Sequence, residues 1–115
     1  MGRGALTDSV VVVEDEWYVE TVLSLVERVP AGRATTYGIL ADAFGCGGPR
    51  QIGRVLAMYG SPVPWWRVVR ADGSLPPSHQ REALAHYREE GTPLRGRITN
   101  AASLRVDLAK VLWTP

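Results

Sequence analysis

Glycine and proline residues divide this sequence into segments so short that each of its helices must be short as well. The first segment, about 15–29, carries apolar residues at helical spacing and ends at Pro30-Ala31-Gly32. This spacing indicates an amphipathic helix with one apolar face. The residues that define this face are Tyr18, Val22, Leu25, Val26 and Val29.

Two further helices follow in close succession. Thr35-Thr36 supplies an N-cap hydroxyl for a helix at about 36–44, and Gly45 is positioned to end that helix. After a glycine-rich loop, a third helix is predicted from about Arg50 to Tyr59. The lengths and the intervening turn are typical of a helix-turn-helix over residues 36–59.

The third helix has one apolar and one open side. Gly53 and Ala57, four residues apart, leave a bare patch on the open side. Such a patch lets either a nucleic-acid backbone or a neighbouring helix approach closely, and the spacing alone does not separate these alternatives. We expect Ile52, Val55, Leu56 and Tyr59 to be buried and Arg50, Gly53, Arg54, Ala57 and Met58 to face outward.

The rest of the chain combines one more helix with short extended segments. Ser61-Pro62-Val63-Pro64 is a stiff connector, residues 67–70 are predicted to form a strand, and Asp72-Gly73 is a hairpin-turn dipeptide. A fourth helix is predicted at about 78–90, with a possible strand at 105–108. The predicted fold is therefore mainly α with a short β-hairpin, a winged-helix-like helix-turn-helix domain.

Length and composition limit the classes of protein. The 115 residues suit one domain, expected at 10–115 after a loose tail at 1–9. A single cysteine, Cys46, allows no intrachain disulfide, and one cysteine with two histidines cannot form a cysteine-rich zinc site. The longest aliphatic run, at 10–13, is too short to span a membrane. We expect a soluble cytoplasmic protein that acts as a monomer.

The net charge of +1 conceals an uneven distribution. Residues 1–27 carry six acidic residues and one arginine. Residues 43–71, here called the recognition tract, carry four arginines and no acid. Because the guanidinium group suits phosphate and base recognition, a nucleic-acid partner remains compatible with the near-neutral total.

Three segments together resemble the C-terminal DNA-binding domain of the O6-alkylguanine-DNA alkyltransferases. They are Val29-Pro30-Ala31-Gly32-Arg33-Ala34-Thr35-Thr36-Tyr37-Gly38, Pro49-Arg50-Gln51-Ile52-Gly53-Arg54 and Val63-Pro64-Trp65-Trp66-Arg67-Val68-Val69-Arg70-Ala71-Asp72-Gly73. The resemblance covers about residues 15–91, followed by a C-terminal tail at 92–115.

The third segment departs from the transferases where their chemistry takes place. Trp65 occupies the position of the acceptor cysteine, Trp66 that of the histidine that deprotonates it, and Glu90 matches the glutamate that orients the histidine. An indole is neither a nucleophile nor a base, so alkyl transfer at this position is excluded. Tryptophan in place of the cysteine resembles the alkyltransferase-like proteins, which bind damage only. The Trp66 N–H is expected either to bond Glu90 or to face elsewhere.

The resemblance implies roles for individual residues. Arg50 matches the arginine that fills the gap left by a flipped base, Tyr37 matches the tyrosine that presses on the 3′ phosphate, and Trp65 would lie against the flipped base. The implied DNA-binding residues are Tyr37, Arg50, Gln51, Gly53, Arg54 and Ala57. The residues implied to form the base pocket are Pro64, Trp65, Trp66, Arg67, Val69 and Glu90. The candidate phosphate contacts are Arg33, Arg54, Arg67 and Arg70.

The implied function is recognition of O6-alkylguanine in duplex DNA without catalysis or a cofactor. The protein would enter the minor groove, flip the base and mark it for nucleotide excision repair proteins. Two alternatives remain open: a winged-helix transcription regulator, or a transferase that uses Cys46.

Two further patterns are weaker. One face of the fourth helix carries His79, Glu82, His86 and Glu90, which suits either metal ligands or a solvated polar face. One helix rarely completes a metal site, so we favour the polar face. The terminus Leu112-Trp113-Thr114-Pro115 resembles that of some alkyltransferase-like proteins, which implies that this tail helps to close the pocket.

Overall fold

The computed structural model describes residues 15–45, 47–96 and 99–115, so the predictions for residues 1–9, for the run at 10–13 and for Cys46 lie outside it. The described chain is mostly helical, which confirms the mainly α prediction. Its elements are α1 (Glu16–Glu27), β1 (Thr35–Thr36), α2 (Tyr37–Phe44), α3 (Pro49–Tyr59), β2 (Val68–Val69), α4 (Gln80–Glu90) and α5 (Leu108–Val111), with 3-10 turns at Trp65–Arg67 and Ala101–Ser103.

The helix-turn-helix is formed by α2 and α3. The Thr36 hydroxyl accepts the N–H of Ile39 at 3.1 Å and so caps α2 as predicted. Gly45 ends α2 with a left-handed φ of +88°, and the Gln51 side chain accepts the N–H of Gly48 at 3.1 Å at the start of α3. These local bonds fix the turn that orients α3.

Two buried apolar clusters meet at β2. The first core lies among α1, α2 and α3, and the second lies between α4 and the C-terminal segment. Val68 belongs to the first core and Val69 to the second, because adjacent side chains of a strand point to opposite faces. The first core is Tyr18, Val22, Val26, Leu40, Ala41, Ile52, Val55, Val63 and Val68, and the second is Ala34, Val69, Leu75, Ala83, Tyr87, Leu104, Val106 and Val111.

The predicted β-hairpin at residues 67–70 is wrong. The strand is reduced to β2, which pairs in parallel with β1, Thr35 opposite Val68 and Thr36 opposite Val69. Both valines are fully buried, so this strand needs cover on both faces, which a projecting wing cannot give. The turn dipeptide does turn the chain, since the Gly73 N–H bonds the Arg70 carbonyl at 2.8 Å.

Two smaller expectations also change. Tyr59 was expected to be buried, but it is 37% exposed because α3 ends there, one turn beyond the last α3 residue that contacts the core. The possible strand at 105–108 is limited to one antiparallel bridge between Val106 and Leu94, and α5 begins at Leu108.

The C-terminal segment is joined to the chain just before β1. Ala34 and Leu112 form a parallel bridge, and Arg33 donates from Nε to the Val111 carbonyl at 2.9 Å and from Nη2 to the Leu112 carbonyl at 2.7 Å. Two donors of Arg33, a candidate phosphate contact, are therefore used within the protein. In the described part of the chain, no helix has the length and apolar character needed to cross a membrane.

Candidate nucleic-acid interface and base pocket

A pocket of about 510 Å³ opens beside α3, within the size range of small-molecule sites. The helix-turn-helix forms one wall and α4 another, while the loop that precedes α4 lines the remaining side. The lining residues are Tyr37, Gly53, Leu56, Ala57, Ser61, Trp65, Leu75, Pro76, Pro77, Ser78, His79, Glu82 and His86.

Gly53 faces the pocket from α3 and leaves space there. A Cβ built on Gly53 would meet the Tyr37 ring at 3.9 Å, which is an ordinary van der Waals contact. No neighbouring helix therefore requires a glycine at this position. Internal packing therefore gives no support to the second of the two alternatives, close approach of a neighbouring helix.

Trp65 forms an aromatic wall of the pocket. Its ring lies 5.5 Å from that of Trp66, 5.7 Å from His79 and 6.1 Å from His86, measured between ring centroids. The contacts with Trp66 and His86 are edge-on, at 86° and 84°. Such edge-to-face packing holds the indole in one orientation and leaves an apolar surface for a bound group.

The Trp66 N–H bonds Glu90, which settles the question left open by the sequence. Its Nε1 donates to Oε2 of Glu90 at 2.9 Å. The His86 imidazole stacks on the Trp66 indole, with 3.5 Å between the ring centroids and 3° between the ring planes. The Tyr87 hydroxyl donates to the Trp66 carbonyl, so α4 holds both the backbone and the side chain of Trp66.

Glu90 accepts hydrogen bonds from three residues. Besides Trp66, Arg67 donates from Nη2 to Oε2 at 2.6 Å and from Nε to Oε1 at 3.2 Å, and the Gly32 N–H bonds Oε1 at 3.0 Å. Burial would raise the pKa of the Glu90 carboxyl, but the bonds from Arg67, Gly32 and Trp66 together lower it. Arg67 also donates to the Val29 carbonyl at 2.9 Å, so its guanidinium is used within the protein rather than held free for phosphate.

The sequence matches the family described as "6-O-methylguanine DNA methyltransferase, DNA binding domain" over residues 18–91, more than half of the chain. It is 32% identical over 106 residues to the "DNA base-flipping protein" of Escherichia coli (strain K12), covering 87% of this chain and 77% of that protein. The chain belongs to this methyltransferase DNA-binding family. A "DNA base-flipping protein" of Vibrio parahaemolyticus is 31% identical over 64 residues, 53% of this chain and 63% of that protein.

Two solved structures share the family fold. S. pombe Atl1, in complex with damaged DNA containing O6-carboxymethylguanine, has a TM-score of 0.74 at 23% identity, covering 87% of this chain and 97% of that chain. S. pombe ATL in complex with DNA has a TM-score of 0.73 at 21% identity over the same shares. The chain is an alkyltransferase-like member of the family, with Trp65 where the transferases carry their cysteine.

The family motif places the implied DNA-binding residues on and next to α3. Arg50, Arg54 and Ala57 are exposed, while Tyr37 and Gly53 line the pocket. Burial raises the pKa of the Tyr37 phenol, and the nearby Arg70 only partly opposes this, so the phenol is neutral at physiological pH. Gln51, implied as a DNA contact, bonds the Gly48 N–H at the start of α3.

The residues implied to form the base pocket lie in three places: on the pocket wall, in the hydrogen-bonded group beside it, and in the second core. Trp65 lines the pocket. Trp66, Arg67 and Glu90 form the hydrogen-bonded group next to it. Val69 lies in the second core, against which Trp65 and Trp66 pack. Pro64 immediately precedes the 3-10 turn and is half-buried.

Sequence reasoning missed the contribution of α4 and the loop before it. The polar face of α4 was predicted to be solvated, but only part of it is. Nδ1 of His79 lies 2.8 Å from a Glu82 oxygen at the surface, whereas His86 and Glu90 both contact Trp66. The helical spacing showed that these residues share a face, but not what covers it. Ser78, on the pocket lip, has a φ of +100°, a strained conformation for a non-glycine residue. Among the described residues, no group of three metal-binding side chains comes together.

Proposed function

We propose that this protein detects O6-alkylguanine in duplex DNA by flipping the base into the pocket, without chemical reaction. The observation that carries the proposal is a pocket of about 510 Å³ bounded by α3 and by the Trp65 indole. The names of the relatives and the damaged DNA bound to S. pombe Atl1 support it. Extrusion of a base costs a few kcal/mol, less when its pairing is already damaged, which supplies part of the selectivity.

The exposed face of α3 suits insertion into the minor groove. The small residues Gly53 and Ala57 allow a duplex to approach the helix backbone closely. Arg50 lies near the start of α3, is exposed, and has a side chain long enough to reach into a duplex. The proposed role of Arg50 is to fill the gap left by the flipped base. The proposed role of Tyr37 is to press on the 3′ phosphate, for which a rigid, neutral phenol is suited.

The residues at the acceptor position support the proposed absence of transfer chemistry. Trp65 offers no thiolate, and Trp66 uses its only polar hydrogen to bond Glu90. Incubation with duplex containing O6-methylguanine, followed by intact-protein mass spectrometry, should show no gain in mass. A gain of about 14 Da would instead support a transferase that uses Cys46.

Competitive binding of matched duplexes is the deciding experiment. Duplexes that differ only in one base, guanine or O6-alkylguanines of increasing size, should bind with higher affinity when the lesion is present. Arg50→Ala should weaken lesion binding about tenfold and binding to plain duplex less, whereas Arg88→Ala on the exposed side of α4 should change neither. Equal affinity for plain and alkylated duplex, with strong dependence on sequence, would instead indicate a transcription regulator.

We further propose that the protein acts as a cytoplasmic monomer and presents the lesion to nucleotide excision repair proteins. The repair step is supported by the family resemblance. Addition of the protein to lesion duplex should then increase incision by purified excision-repair proteins, and unchanged incision would remove this step from the proposal.

A further inference from the structure

His86 is held in a fixed orientation on the wall of the pocket. Its imidazole lies parallel to the Trp66 indole, with 3.5 Å between the ring centroids and 3° between the ring planes. It meets the Trp65 ring edge-on, with 6.1 Å between the centroids. Trp66 is itself held by its bond to Glu90. A ring held on two sides in this way is oriented before any ligand arrives, which lowers the entropy cost of using it in binding.

The nitrogen atoms of His86 have no hydrogen-bond partner among the residues that the structure describes. His79, the other histidine of the pocket, differs because its Nδ1 lies 2.8 Å from a Glu82 oxygen. One ring face of His86 stacks on Trp66, and His86 is one of the residues that line the pocket. A half-buried imidazole with unused polar atoms is suited to bond a ligand.

The chemistry of an O6-alkylated guanine fits such a group. Alkylation at O6 removes the proton from N1, so that O6, N1 and N7 become adjacent acceptors with no donor between them. An imidazole carries at least one N–H in every protonation state, so it can always donate to this edge. Among the other lining residues, Leu75, Pro76 and Pro77 offer no side-chain donor, whereas Tyr37, Ser61, Ser78 and His79 do. His86 differs from these four because it is stacked on Trp66.

We propose that His86 is the residue that hydrogen-bonds the acceptor edge of the flipped O6-alkylguanine, held in place by stacking on Trp66. The inference rests on the proposed function and adds a specificity-determining residue to it. The tryptophans provide the apolar surface, and His86 provides the polar contact that orients the base against them.

His86→Phe tests the inference because phenylalanine keeps an aromatic ring on Trp66 and removes both nitrogens. Affinity for a duplex with O6-methylguanine should fall about tenfold, the effect of one hydrogen bond. Affinity for the matched plain duplex should stay within twofold, because no base enters the pocket there. His86→Gln, which restores a donor, should recover part of the loss. His79→Phe is the matched control, and it should change lesion affinity less than His86→Phe.

The outcomes separate the two proposals. If the unmodified protein shows no preference for the lesion, the proposed function fails. If it prefers the lesion and His86→Phe keeps the full preference, only the role of His86 is overturned. If His86→Phe does not fold, imidazole NMR signals of the unmodified protein decide, since lesion duplex should shift those of His86 and plain duplex should not. Unshifted signals with bound lesion would overturn the inference.

Discussion

Replacement of Glu90 by glutamine tests the network that holds Trp66 in place. The carboxylate accepts bonds from Trp66 at 2.9 Å, from Arg67 at 2.6 and 3.2 Å, and from the Gly32 N–H at 3.0 Å. A glutamine has one oxygen and one NH₂ group. Whichever way the amide is turned, its NH₂ must face donors, so at least two bonds are lost and the Arg67 charge loses its partner.

The expected loss of stability follows from the burial of the pair. The Arg67 and Glu90 side chains are only 16% and 11% exposed. Removal of one partner from a buried ion pair costs about 3–5 kcal/mol, and the remaining exposure places this pair near the lower end, at about 3 kcal/mol. At about 4 °C per kcal/mol for a domain of this size, the Tm should fall by about 12 °C at pH 7.

The pH dependence of this loss identifies its origin. The Glu90 pKa is lowered in the folded protein from its ordinary value of 4.5. The charged carboxylate therefore contributes stability above that value, and the contribution is lost as the pH falls through the lower folded pKa. Urea unfolding at a series of pH values should show the difference between Glu90→Gln and the unmodified protein shrinking below about pH 4.

Two control variants make the result decisive. Glu89→Gln alters the neighbouring exposed carboxylate on α4 and should change the free energy of unfolding by less than about 0.5 kcal/mol. Adding Arg67→Met to Glu90→Gln should cost less than the sum of the single changes, because the unpaired charge is gone. Additive losses, or a loss that is independent of pH, would refute the ion-pair reasoning.

Three other predictions test the surface and the turns. Gly53→Ala should raise the free energy of unfolding by about 0.5–1 kcal/mol, since alanine favours a helix and the new Cβ meets the Tyr37 ring at 3.9 Å, yet it should weaken lesion binding measured by competition. Gly73→Ala should lower the free energy of unfolding in urea by about 3 kcal/mol, because its Cβ would lie 2.3 Å from the Val106 carbonyl oxygen. Gly45→Ala is the control, since Gly45 has a similar positive φ with open space around it, and it should lower the free energy of unfolding by only about 1 kcal/mol. Three arginines of the recognition tract are exposed, so log affinity for plain duplex should fall with log salt at a slope near −2.7, and a flat response would contradict DNA binding through this face.

The helices were predictable because their ends are determined locally. The Thr36 cap, the left-handed Gly45 and the left-handed Gly91 each lie within a residue or two of the helix end that they fix. The partner of β2 was not predictable in this way. Its register with Thr35 is set by the two cores on either side of Val68 and Val69, which are assembled from segments far apart in the chain.

The candidate site likewise has features that consecutive residues predict and features that depend on contacts between distant segments. The motif around Trp65 and the arginine at position 50 could be recognised from consecutive residues. The stacking of His86 on Trp66 joins α4 to a turn twenty residues earlier and depends on side-chain orientation, for which helical spacing carries no signal. Arg67 was a candidate phosphate contact for the same reason, since its charge is visible in sequence and its bond to Glu90 is not.

The number of exposed arginines in the recognition tract limits the electrostatic contribution to DNA binding. The Arg67 guanidinium is bonded to Glu90 and to the Val29 carbonyl, which leaves three of the four arginines of the recognition tract exposed. Three phosphate contacts would lose only about 40-fold in affinity between 50 and 200 mM salt, well below the loss for proteins that make six to ten such contacts. With a net charge of +1, bulk electrostatics cannot supply strong non-specific binding. We therefore expect discrimination to arise in the pocket, from the apolar Trp65 surface and from the few polar atoms beside it.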